Sequence, residues 1–120
     1  MKDYTLGAVE QRFASLIWDN EPVSTRELVA LAESALSWKK STTYTILRRL
    51  SERGLFQNRD GVVTACLSRE EFLARQSRRY VADSFGGSLP RFLAAFTAQE
   101  KLSGEEVEAL RQLIEQSGEG

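Results

Sequence analysis

Apolar residues recur at helical spacing through the first fifty positions, then give way to short continuous runs, and that change of period lays out the chain. Val9, Phe13, Leu16 and Ile17 fall at i, i+4, i+7 and i+8, which predicts a helix over 7–20. Trp18 ends its apolar face and "DNEP" (19–22) breaks it. Ser24-Thr-Arg-Glu27 then reads as a capping box, the serine accepting from a first-turn amide and the glutamate reaching back to the serine amide. The helix it opens runs to about Ala35, with Leu28, Leu31, Ala32 and Ala35 on one side. A short turn, "LSWKK", leads into a third helix over about 40–53, closed by Gly54 as a left-handed cap. There Thr43, Ile46, Leu47 and Leu50 share one arc, the expected buried stripe. The opposite arc holds Ser41, Tyr44, Thr45, Arg48 and Glu52, flanked by Thr42 and Arg49.

Beyond Gly54 the period changes. Two β-prone runs in 55–67 flank Asp60-Gly61, a dipeptide suited to the positive φ angles of a two-residue hairpin turn. Ser68-Arg-Glu-Glu71 is a second capping box and opens a helix to about Phe85, ended by Gly86-Gly87. Ser88 caps a shorter helix that tolerates Pro90 in its first turn, and Ser103-Gly-Glu-Glu106 caps a last one. The expected fold is mostly α (α+β): an N-terminal winged helix-turn-helix with a two-stranded wing, followed by three helices. The expected domains are 1–69, a DNA-binding unit, and 70–120, a helical dimerisation unit.

The second segment is too short for a stable core of its own, yet it is rich in large apolar side chains. Besides Phe72 it carries Tyr80, Phe85, Leu89, Phe92, Leu93, Phe96, Val107, Leu110, Leu113 and Ile114. Each is worth roughly 1.5–3 kcal/mol when buried. Burial against a second copy of the same helices makes this the expected homodimer surface; folding back onto the N-terminal unit is the competing arrangement.

Composition narrows the chemistry. The chain has 42% hydrophobic and 28% charged residues, the balance of a soluble globular protein. It has no run of the roughly 18 apolar residues a membrane span needs and no secretory-signal order at its start, so a cytoplasmic protein without membrane insertion is expected. There is no histidine, no G-x-G-x-x-G and no P-loop, so neither an enzyme nor a cofactor is expected. A single cysteine, Cys66, cannot close an internal disulfide or build a Cys-rich metal site, so no metal is expected; its place in an alternating strand reads as structural. Trp18 and Trp38 read as core packing.

Charge changes the picture most. Residues 39–59 hold six basic side chains and one acidic one, while the other 99 carry ten basic and sixteen acidic. DNA binding needs lysine and arginine for phosphates, and short polar or guanidinium groups for base edges. Ser41, Thr42, Tyr44, Thr45 and Arg48 are therefore the candidate base-facing residues. Lys39, Lys40, Arg49, Arg53 and, beside the wing tip, Arg59 are the candidate phosphate contacts. A low isoelectric point does not oppose this, because the relevant field is local. The competing reading is a winged-helix protein-interaction module that uses Tyr44 and the same face against an acidic partner.

With those residues in view, the chain resembles the penicillinase-repressor family of bacterial winged-helix repressors. The resemblance rests on "LGAVEQRFASLIWDNEPVSTREL", "WKKSTTYTILRRLSERGL" and "GGSLPRFLAAFTAQEKLSGEEVEALRQLIEQ", nearly the whole chain. It implies a dimeric repressor on a palindromic double-stranded operator, with the C-terminal helices as the dimer module. It puts the family's base-facing positions on Ser41, Thr42, Tyr44 and Thr45, and a basic position on Arg49. It also implies a membrane sensor protease as partner, since the antibiotic-responsive members are cut at an Asn-Phe bond in the C-terminal helices. The matching pair here is Ala95-Phe96, a departure at the cleavage position. The Cys-x-Cys motifs of the copper-responsive members do not occur.

Overall fold

The computed structural model describes residues 6–118. Its elements are α1 (Ala8–Asn20), β1 (Val23–Ser24), α2 (Thr25–Leu36), α3 (Lys40–Glu52), β2 (Phe56–Arg59), β3 (Val62–Ala65), α4 (Arg69–Phe85), α5 (Leu89–Gln99) and α6 (Gly104–Ser117). The described residues divide into two compact units between Ser77 and Arg78, within α4.

In the first unit, helices α1, α2 and α3 pack around a core that includes Phe13, Ile17, Leu28, Leu47 and Leu50, all at most 3% exposed. Trp38 closes one side against the Phe13 ring, 5.1 Å between centroids. The turn after α3 follows the expected chemistry: Gly54 adopts φ +89°, and the Leu55 amide donates to the Leu50 carbonyl at 3.1 Å. The hairpin turns through Asp60 (φ +53°) and Gly61 (φ +81°), pairing Arg59 with Val62. Two successive positive φ values match the right-handed twist of the strands.

The expected two-stranded wing forms as β2-β3, and β1 adds a third strand to it, in the order β1-β3-β2. Val23 and Ser24 pair antiparallel with Val63 and Val62, and the Thr25 amide donates to the Gly61 carbonyl at 2.9 Å. This ties the start of α2 to the wing. It also alters the first capping box. Ser24 Oγ accepts from the Glu27 amide at 3.0 Å, but it also donates to the Glu27 carboxylate at 3.1 Å.

Three burial expectations are corrected. Val9 is half exposed and Ala35 is exposed, so the buried stripes of α1 and α2 are narrower than the periodicity suggests. Phe72 is fully buried in the N-terminal core, its ring 5.4 Å from that of Trp18, rather than lying with the C-terminal apolar set. Cys66 is exposed rather than packed.

Trp18 joins three elements. Its ring meets Phe56 and Phe72 at 5.4 Å each, and its Nε1 donates to the Leu67 carbonyl at 2.9 Å. Arg69 then fastens the start of α4 to α1, through Asp19 at 2.6 Å and over the Trp18 ring at 5.6 Å.

In the second unit, Gly86 and Gly87 take φ +60° and +81°, and Ser88 caps α5. The reciprocal Ser103–Glu106 box caps α6 as the sequence predicts. Tyr80, Phe85 and Phe92 form an edge-on aromatic cluster with centroids 5.5–6.2 Å apart, and Phe96 joins at Phe92. Neither α5 nor α6 contains a fully buried residue. Leu89, Leu113 and Ile114 remain more than half exposed, while Phe92, Leu93 and Leu110 are partly covered.

Candidate nucleic-acid interface

The site is the outer face of α3 with the adjoining wing. Thr43, Leu47 and Leu50 are buried and Ile46 half-buried, which turns Ser41, Thr42, Tyr44, Thr45, Arg48 and Arg49 outward, all exposed. Thr43, whose hydroxyl would be costly in an apolar stripe, donates it to the Lys39 carbonyl at 3.2 Å. The helix is thus anchored through one stripe and presents short polar groups on the other.

Its N-terminus is unusual. Lys39 occupies the N-cap with no side-chain hydrogen bond, and Lys40 follows in a first turn without an acidic residue. Two cations at the positive end of a helix dipole are unfavourable until an anion arrives. The Lys40 ammonium rests 5.9 Å from the centre of the Tyr44 ring, a cation–π contact that restrains both side chains. Thr45 donates its hydroxyl to the Ser41 carbonyl at 2.9 Å, so in this arrangement it offers an acceptor and a methyl group outward.

A shallow depression between α3 and the wing is lined by Tyr44, Leu47, Arg48, Ser51 and Asn58. Of these, Ser51 and Asn58 were not among the sequence-based candidates. Asn58 accepts the Gly61 amide at 3.1 Å and so stiffens the hairpin tip, and Arg59 stands exposed at the end of β2. Arg53 caps the C-terminus of α3, half-buried. Arg49 has an ion-pair partner outside α3 and the wing. It pairs across the unit with Glu10 of α1 at 3.5 Å, a partner that helix periodicity gave no means of finding.

Among the described residues, no three histidine, cysteine or acidic side chains gather into a metal-ion site. No helix among them is long and apolar enough to cross a membrane. Ala95 and Phe96 are both exposed on α5.

Three helices, a small antiparallel sheet and an outward polar–basic third helix define a winged-helix protein with a helical C-terminal region. The chain belongs to the penicillinase repressor family, whose pattern it matches over residues 6–116. It is similar to the penicillinase repressor of Bacillus licheniformis, 25% identical over 111 residues that cover 89% of this chain and 87% of that protein. It is also similar to the methicillin resistance regulatory protein MecI of Staphylococcus aureus, 20% identical over 117 residues, 94% of this chain and 95% of that one.

Proposed function

We propose that this chain is a sequence-specific transcriptional repressor that binds double-stranded DNA as a homodimer. The winged-helix residues expected over 1–69, joined in their core by Phe72, act as the DNA-binding unit, and the helices beyond act as the dimerisation unit. Membership of the penicillinase repressor family supports a repressor role. The observation that carries the reading is the arrangement of α3: an uncapped, lysine-bearing N-terminus beside an exposed column of short polar groups. Helix α3 enters the major groove, with Ser41, Thr42, Tyr44, Thr45 and Arg48 toward base edges. Lys39, Lys40, Arg53 and Arg59 face phosphates on either side, and Arg49 joins them once released from Glu10.

Twofold pairing through Tyr80, Leu89, Phe96, Val107, Leu113 and Ile114, with the partly covered Phe85, Phe92, Leu93 and Leu110 behind them, would cover the exposed apolar side chains of the second unit. Such a dimer reads a palindromic operator. Severing the two units abolishes tight binding, because two linked contacts become independent weak ones. A sensor protease that requires Asn before Phe would meet Ala95, which lacks the carboxamide. The repressor is therefore released either by a protease with a small-residue pocket or without cleavage. Immunoblotting during induction distinguishes these routes: a fragment ending at Ala95 supports the first, an uncut chain that leaves DNA the second, and cleavage within 1–70 contradicts both. The DNA reading itself is tested by retention on heparin and on random duplex DNA. Steep loss with salt is expected, and salt-insensitive or absent binding would favour a protein-interaction module.

A further inference from the structure

Glu10 lies in the first turn of α1, 39 residues before Arg49, and its carboxylate is shared between two donors. Oε1 accepts the Gly7 amide at 3.2 Å, and Oε2 faces Arg49 Nη1 at 3.5 Å. The Glu10 side chain is only 21% exposed, whereas that of Arg49 is 51% exposed. The carboxylate is therefore fixed, and the guanidinium at the end of its flexible stem can swing away. Arg49 also stands on the α3 column that carries Thr42 and Thr45, two turns beyond the first and one beyond the second, where a DNA backbone would pass.

The contact is longer than the ~2.7–2.9 Å of a tight charge-assisted bond, and half-exposed pairs of this kind are weak. A phosphate offers the same guanidinium two oxygens in matching geometry and a stronger charge. We propose that Glu10 is an intramolecular competitor with the DNA phosphate for Arg49, and so sets part of the sequence-independent affinity of the protein. DNA must take the guanidinium from Glu10 and then tolerate the carboxylate left nearby. This rests on the DNA-binding reading above and adds to it a residue outside the helix-turn-helix face that tunes the grip.

The test is Glu10→Gln. Glutamine at this third helical position can still accept the Gly7 amide, so the substitution removes the charge and leaves the cap. Binding to random duplex and to operator should tighten together by about 2- to 5-fold near 0.1 M salt, the scale of one exposed ion pair. The plot of log affinity against log salt should steepen by up to about 0.9, one further phosphate neutralised. In an Arg49→Ala background the same substitution should leave the slope unchanged. Unaltered or weakened binding by Glu10→Gln overturns the proposal. So does an equal gain in slope with and without Arg49. Wild-type protein that shows no salt-dependent DNA binding would instead refute the DNA-binding function, whereas binding that ignores Glu10→Gln refutes this inference alone.

Discussion

Arg48 and Lys40 sit on the same helix and are expected to do different work. Arg48 projects from mid-helix beside Tyr44, at the rim of the depression facing the wing, and the proposed reading sends its guanidinium to base edges. Arg48→Ala should cost roughly 1–3 kcal/mol on operator and relax sequence preference. Lys40 lies in the first turn, at the margin of the face. Lys40→Ala should weaken operator and random DNA alike and lower the salt slope by about one. Fluorescence anisotropy on both duplexes separates the two effects. Equal losses on both duplexes for both variants would mean that α3 is not the reader. Periodicity alone placed Thr43, Leu47 and Leu50 inward and Ser41, Tyr44, Thr45 and Arg48 outward, because helical spacing is a local property. Local spacing cannot reveal the Arg49–Glu10 pair, which exists only once α1 and α3 have packed. Nor does it show that Val9 and Ala35, apolar and in phase, lie beyond the edge of the packed surface.

The elements that were legible are those whose ends carry chemistry. Serine caps, Gly54, Asp60-Gly61 and Gly86-Gly87 all stand where turns require them. Strand β1 was not legible, since two residues cannot display alternation and their pairing with β3 is entirely tertiary. Phe72 was misassigned for a related reason: it follows a strong helix start, yet Trp18 draws it into the first core. Trp18→Phe keeps an aromatic ring but leaves the Leu67 carbonyl without its donor. It should cost about 1–3 kcal/mol in urea denaturation of the N-terminal unit, and no measurable loss would show that water replaces the bond. The Glu71 carboxyl titrates below the usual glutamate range, chiefly because the Ser68 amide donates to it, with help from the Ser68 side chain and Arg75. A depressed carboxyl stabilises the fold above its ordinary range and loses that contribution as pH falls through the lowered value. The start of α4 should therefore loosen only in acid, and Glu71→Gln should flatten that part of the melting profile. Superimposable acid profiles for the two proteins would contradict the cap's role.

At the scale of the whole molecule, the two units solve the problem of size differently. The first closes its own core around Phe13, Ile17 and Phe56, whereas α5 and α6 of the second have no fully buried residue. An excess of large apolar residues in a short segment was visible in the sequence; which of them pair within one chain was not, because that depends on how Tyr80, Phe85 and Phe92 meet edge-on. Replacing both Phe92 and Leu110 by Asp sets charges in the proposed dimer surface and should yield monomers in sedimentation, with the N-terminal unit still folded. A dimer that survives both changes would mean that the subunits pair elsewhere. The central claim is that two copies of the α3 face read one operator together, and footprinting of the full chain on genomic fragments selected by binding tests it most directly. The expected result is two protected patches related by a twofold axis, centred about 34–36 Å apart or a multiple of that. A single unpaired patch, or no protected DNA at all, would contradict it.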